Sequence, residues 1–114
     1  MSQHRKHRGY ESQRIVADYL RENGWPFAES TGAGRSGTDV TGVPGMDIEV
    51  AARRGFPFMS KINQQRARTE ADSLSFVVLR PDGMGAKSVG DWPVFIPLRF
   101  LVNLLRDAGY GDPR

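Results

Sequence analysis

Two acidic residues, Asp39 and Glu49, stand on either side of a Gly42-Val43-Pro44-Gly45 turn. The turn folds the chain back on itself, so both carboxylates come to one edge of a sheet. Carboxylates held close together repel, and each raises the other's affinity for a proton; a divalent cation removes that penalty. Their oxygens are the hard ligands that Mg²⁺ and Mn²⁺ take. The chain has no cysteine, which excludes a disulfide framework, a thiolate nucleophile and the usual structural zinc sites. Any metal is therefore held by oxygen or imidazole. The two histidines, His4 and His7, lie in a charged segment with no acidic partner at ligand spacing, and read as solvated or touching phosphate.

The elements that must position these acids follow from the apolar periodicity. Thr38 to Thr41 and Met46 to Ala52 are predicted as the strands of a hairpin. Alternation puts Ile48 and Val50 on one face of the second strand and Asp47, Glu49 and Ala51 on the other. Upstream, Tyr10, Ile15, Val16, Tyr19 and Leu20 fall near helical spacing and stop at Asn23-Gly24, predicting a helix over 9–23 with Glu11 in its first turn. Trp25 to Ala28 reads as a strand or an ordered turn, and 29–37, rich in glycine and hydroxyl residues, as a mobile loop. Downstream come a polar helix over 60–71, a central strand over 75–79 ending at Pro81-Asp82-Gly83, a strand over 92–96 and a helix over 98–108.

At 114 residues the chain suits one compact domain with one core. We expect residues 1–114 to form it, with 1–8 as a flexible basic arm. No internal repeat or low-complexity linker interrupts it. No run approaches the roughly 18 apolar residues that span a bilayer, and the basic start lacks the apolar segment of a secretory signal, so a soluble protein of the cytoplasm is expected. The net charge is +3, with basic residues grouped at 4–8, at Arg53 and Arg54, and at Lys61, Arg66 and Arg68. Such groups suit a polyanion such as DNA, since phosphate contacts release counterions. Gly32 to Gly37 lacks the Gly-Lys-Ser/Thr ending of a phosphate-binding loop, which argues against nucleotide hydrolysis.

The segment from Gly37 to Arg54, with Thr38-Asp39 before the turn and Ile48-Glu49-Val50 after it, resembles the PD-(D/E)xK nuclease superfamily, in particular its small Holliday-junction-resolvase-like members of bacteriophage type. The resemblance implies an α/β fold with a restriction-endonuclease-like αβββαβ core, a mixed central sheet flanked by helices. On it Asp39 matches the motif Asp, Glu49 the acid of Glu-x-Lys and Glu11 the acid of the first helix. Asp39 and Glu49 would hold Mg²⁺ or Mn²⁺, and Glu11 a second metal or a water in the shell of the first. A variant alignment makes Asp47 and Glu49 an acid-x-acid pair. Gln64 matches a helix position where related nucleases carry Gln, with Gln65 as its neighbour one register away. Arg35 and Ser36 lie in the loop that similar enzymes close on DNA, and Arg5, Lys6, Arg8, Arg53, Arg54 and Lys61 are further DNA contacts.

The motif lysine orients the attacking water and stabilises developing negative charge, and Ala51 stands in its place. Three explanations compete: an engineered Lys→Ala change that traps bound DNA, a natural loss of activity, or a migrated cation supplied by Lys61, Arg53 or Arg54. The first is favoured because the flanking residues otherwise match an intact nuclease. The implied activity is metal-dependent hydrolysis of phosphodiesters in branched DNA such as a four-way junction, impaired here. Paired cuts on a near-symmetric junction imply a homodimer, with Phe56, Phe58 or the last helix as interface material. The alternatives are an inactive DNA-binding module, or a nicking, restriction or mismatch endonuclease.

Overall fold

The computed structural model describes residues 3–32, 37–52, 55–69 and 73–112, with side chains from Arg8 onward. Its elements run α1 (Gln3–Glu22), β1 (Glu29–Ser30), β2 (Val40–Thr41), β3 (Met46–Ala51), α2 (Phe58–Arg68), β4 (Leu74–Leu79), a 3₁₀ segment (Ala86–Asp91), β5 (Val94–Phe95) and α3 (Leu98–Asp107). The protein is mixed α/β, and the order from α1 to β4 is αβββαβ.

The central sheet has order β3-β4-β5, with β3 and β4 parallel and β5 antiparallel to β4. Register sets Ile48 beside Phe76 and Val50 beside Val78. These apolar residues meet α1 on one face of the sheet: Val16, Ala17, Val40, Ile48, Val50, Val78 and Trp92 belong to one buried cluster. The other face carries Asp47 and Glu49 beside Ser75 and Val77, and α2 covers it through the buried side chain of Gln65. Helices thus flank the sheet on both sides, as a parallel pair requires.

Several elements differ from expectation. α1 runs unbroken from Gln3, which places Glu11 in its third turn; residues 1 and 2 of the expected N-terminal arm lie outside the described residues. The second element is a turn over 25–27 followed by β1, formed by Glu29–Ser30 at the start of the expected loop. That strand pairs with β2, Glu29 opposite Thr41. Glycine makes the β1–β2 pairing possible. Gly42 has φ +75, and a Cβ there would lie 1.9 Å from the Phe27 carbonyl oxygen, so any side chain forces the turn away from β1.

The expected hairpin between β2 and β3 is not a regular ladder. β2 is two residues long, and side chains take over much of the joining, as described below. β5 is shorter than predicted because Trp92 and Pro93 lie outside it, Trp92 ending the 3₁₀ segment. α3 ends as expected, but none of its residues is buried.

A candidate carboxylate site on the edge of the sheet

β4 occupies one edge of β3, leaving the N–H groups of Ile48 and Val50 on the other edge. Thr38 and Asp39 satisfy both. Thr38 Oγ1 accepts from Ile48 N–H at 2.9 Å, and Asp39 Oδ2 accepts from Val50 N–H at 2.8 Å. The Asp39 N–H in turn donates to the Ile48 carbonyl at 2.7 Å, and the Asp39 carbonyl accepts from Thr31 N–H at 3.0 Å. Side chains of this kind compete with ladder hydrogen bonds, which accounts for the missing hairpin ladder. It also fixes the Asp39 carboxyl over β3, where Glu49 projects.

The two carboxyl groups meet. Burial raises the pKa of Asp39 to about 7 from the ordinary 3.8, helped by its hydrogen bond with the Glu49 carboxyl and by the charge of Glu49; the Val50 N–H and the Arg68 guanidinium pull the other way. A hydrogen bond between two carboxyl groups needs a proton, so the pair carries one up to about pH 7.

A second acid lies beside this pair. Asp47 accepts two hydrogen bonds from Arg68, at 2.7 Å from Nε and 2.8 Å from Nη2. It accepts another from Thr69 Oγ1 at 3.1 Å. Burial alone would push Asp47 up, but the Arg68 bonds and charge, with Thr69 and Gln65, outweigh it and hold Asp47 below the usual carboxylate range. Arg68 Nη2 also lies 3.4 Å from Glu49 Oε1. Its own pKa is raised, chiefly by the hydrogen bonds to Asp47. Asp47, Arg68 and Thr69 border an opening of about 310 Å³ that Gly37, Thr38, Gly45 and Ser73 also line.

Gln65, not Gln64, faces the sheet. Gln64 is exposed, whereas the Gln65 amide is fully buried and donates to the Asp47 and Phe76 carbonyls at 3.1 and 2.8 Å. Its Oε1 is buried with no hydrogen-bond partner among the described residues. The helix register therefore sits one residue from the expected one.

The other predicted residues are scattered. Glu11 accepts from Arg80 Nη1 at 2.9 Å, and among the described residues no group of three or more His, Asp or Glu is arranged to hold a metal ion. Glu11 is thus not brought together with Asp39 and Glu49 as a ligand set. Ala51 is buried, 1% exposed, at the end of β3. Lys61 lies in the first turn of α2. Arg8 is half-buried: Nε donates to the Ala52 carbonyl at 2.9 Å, and Nη2 lies 3.6 Å from Asp82, so it ties α1 to the far end of β3. Arg5 and Lys6 belong to the helical backbone of α1, with side chains outside the described residues. Arg35, Ser36, Arg53 and Arg54 lie outside the described residues.

Sequence reasoning missed Arg68, Thr38 and Thr69. One signal was available for Arg68, which lies three residues beyond Gln65 on the same side of α2; a helix that turns Gln65 to the sheet turns Arg68 the same way.

Comparisons with family models, with curated proteins and with solved structures gave no match. Among the described residues no helix is long and apolar enough to cross a membrane.

Proposed function

We propose that this protein is a divalent-metal-dependent endodeoxyribonuclease of the PD-(D/E)xK type, with a restriction-endonuclease-like core, acting in the cytoplasm on branched DNA such as a four-way junction. One observation carries the proposal: Asp39 and Glu49, ten residues apart in sequence, meet carboxyl to carboxyl with Asp39 held protonated up to about pH 7. That is an unfavourable arrangement without a cation. The αβββαβ order around it supports the same assignment.

The residues fit Mg²⁺ or Mn²⁺. Such an ion is commonly bound through one or two carboxylates, with waters and substrate phosphates completing its shell, so a third protein ligand is not required. Asp39 and Glu49 would hold it, and when bound it supplies an activated water and neutralises charge on the phosphate. The chain's own residues do the rest. Thr38 and the Asp39 backbone fix the acid pair to β3. Gln65 fixes Asp47, and Asp47 fixes Arg68, whose guanidinium is positioned beside Glu49 to stabilise negative charge on a phosphate. Among the described residues, Arg68 is the cation beside Asp47 and Glu49, in a chain whose motif lysine position holds Ala51. This supports a cation supplied from elsewhere in the chain over loss of activity, with Arg68 in that role in place of the expected Lys61, Arg53 or Arg54.

A resolvase that cuts two opposed strands works as a homodimer. Phe56 and Phe58 are poor interface material, since Phe58 packs on Phe56 and Phe95 with ring centroids 5.0 and 4.2 Å apart. The exposed Leu98, Leu101, Val102 and Leu105 of α3 are the better candidates.

The test is a cleavage panel of four-way junction, flap, nicked duplex and linear duplex with Mg²⁺ or Mn²⁺. Paired nicks on the junction that vanish with EDTA and with Asp39→Asn or Glu49→Gln are expected. Tight junction binding with no cutting under any metal would make the protein a DNA-binding module, and preference for another substrate would make it a different endonuclease.

A further inference from the structure

Beyond the carboxylates, the side of α2 that carries Arg66 looks onto a second cleft, of about 490 Å³, between α2, the start of β4 and the start of α3. Asn63, Arg66, Thr69, Ser73, Ser75 and Arg99 line it. Its volume falls in the range of small-molecule sites, but hydroxyls, an amide and two guanidinium groups outnumber its apolar lining, which is Ala67 and Phe100.

The two arginines are the informative feature. Arg68 is paired with Asp47, Arg80 with Glu11 and Arg21 with Asp18. Among the described residues, Arg66 and Arg99 have no carboxylate partner; Arg99 rests only over the ring of its neighbour Phe100, 4.7 Å from the centroid. Two guanidinium groups without a carboxylate partner among the described residues, beside the Ser73 hydroxyl and the Asn63 amide, form a recognition set for phosphate oxygens, which guanidinium binds through paired hydrogen bonds. The cleft also adjoins the opening beside Asp47 and Arg68. Thr69 and Ser73 line both openings, and Thr69 Oγ1 is bonded to Asp47.

We propose that the Arg66–Arg99 cleft is a phosphate-binding track for a nucleic-acid strand, seating backbone phosphates next to the one that lies at Asp39 and Glu49. The proposal rests on the nuclease assignment for its ligand class. A sugar-phosphate chain leaving the carboxylate site past Asp47 and Arg68 reaches this cleft at Thr69 and Ser73, and each phosphate seated there displaces condensed counterions. The contact is to the backbone and carries no sequence preference.

The test is binding by the full chain in EDTA, where cleavage cannot intervene. Fluorescence anisotropy with a labelled four-way junction and a labelled single strand is measured across a salt series for wild type, Arg66→Gln, Arg99→Gln, the double variant and Lys87→Gln, an exposed charge-matched control on the 3₁₀ segment. Each arginine variant is expected to weaken binding by roughly 3- to 10-fold and to lower the slope of log K against log salt by about 1. The double variant should lower it by about 2, and Lys87→Gln should leave both unchanged. Thermal unfolding of every variant is recorded alongside; because both side chains lie outside the core, melting temperatures within a degree or two of wild type are expected, and Arg66→Lys with Arg99→Lys provides a charge-retaining pair that recovers the salt slope.

Arginine variants that bind DNA like Lys87→Gln would overturn the track while leaving the nuclease assignment intact. A wild type that binds no DNA would overturn both. Inorganic phosphate and a mononucleotide serve as competitors: displacement of the strand only at high concentration, with affinity rising with strand length, is the expected result. Equally tight binding of the mononucleotide, without dependence on length, would identify a small-ligand site and refute the strand proposal.

Discussion

The carboxyl groups of Asp39 and Glu49 share a hydrogen bond over β3, with the Asp39 Oδ2 also accepting from the Val50 N–H at 2.8 Å. Asp39 is therefore both a structural clasp and half of an acid pair, and the two roles oppose each other as pH rises. Its folded pKa, about 7, exceeds the ordinary 3.8, so the folded chain binds the proton more tightly than the unfolded chain does. Its contribution favours folding at low pH and is progressively lost as pH rises from about 4 to about 7. Asn at this position keeps an oxygen for Val50 N–H, supplies N–H to Glu49 and never ionises. Asp39→Asn is expected to be more stable than wild type by about 1–3 kcal/mol near pH 8, with a smaller difference near pH 5. Urea unfolding at both pH values measures it; equal stability at both would show that the pair is not buried in the way described.

A divalent ion should relieve the same strain. With Mn²⁺ or Mg²⁺ at about 100 times its Kd, binding to the native state adds roughly 2.7 kcal/mol, which raises the melting temperature by several degrees. Because the ion competes with the shared proton, the shift should be larger near pH 8 than near pH 5.5. Asp39→Asn and Glu49→Gln should abolish it, while Glu11→Gln should leave it in place. A shift that survives in Asp39→Asn would place the metal elsewhere.

Much of this site was legible in the sequence, and the parts that were not have physical causes. Asp39 and Glu49 flank a turn rich in glycine, so their convergence followed from chain reversal alone. The apolar face of β3 was equally readable, because Ile48 and Val50 alternate with acids. Helix register was harder. α2 is polar almost throughout, and its sheet side is marked by Gln65, which no hydrophobic pattern distinguishes from Gln64. The displacement of the hairpin ladder by Thr38 and Asp39 was invisible because it depends on side-chain hydrogen bonds to residues ten and eleven positions away. Glu11 was given its site role by resemblance rather than by periodicity, and it accepts a hydrogen bond from Arg80, far along the chain.

Arg68 and Asp47 form the pair whose loss should be felt most directly. Asp47 is held below the ordinary carboxylate value although burial opposes it. Its contribution to folding is therefore present above about pH 4 and lost as pH falls below that value. Arg68→Ala leaves Asp47 largely buried without its main partner, and a cost of about 1–3 kcal/mol at neutral pH is expected. In that variant burial is no longer outweighed, so Asp47 takes up a proton at higher pH than in wild type and the deficit should shrink as the solution is acidified. Arg68→Lys should recover part of the stability but lose the paired geometry. Denaturant titrations from about pH 3.5 to 7 test the pair; a deficit independent of pH would mean that Arg68 stabilises through packing alone.

The same arginine sets what Ala51→Lys should do. If Arg68 has taken over the work of the motif lysine, the present chain cuts junctions with Mn²⁺, Arg68→Ala lowers the rate by roughly 10²-fold or more, and Ala51→Lys adds little. If an engineered Lys→Ala change removed the lysine, Ala51→Lys restores cleavage from near zero and Arg68→Ala has a modest effect. The structure favours the first outcome on two grounds. Arg68 already lies beside Glu49 and is held there by two hydrogen bonds to Asp47. Ala51 is 1% exposed, so a lysine there must extend from a packed position, and enlarging a side chain in such a site costs about 1–3 kcal/mol. Single-turnover cleavage of a labelled junction by wild type, Ala51→Lys, Arg68→Ala and the double variant separates the two. Rescue of Arg68→Ala by Ala51→Lys would show that either cation can serve the one site. A double variant as inactive as Arg68→Ala alone would assign the role to the guanidinium and its geometry.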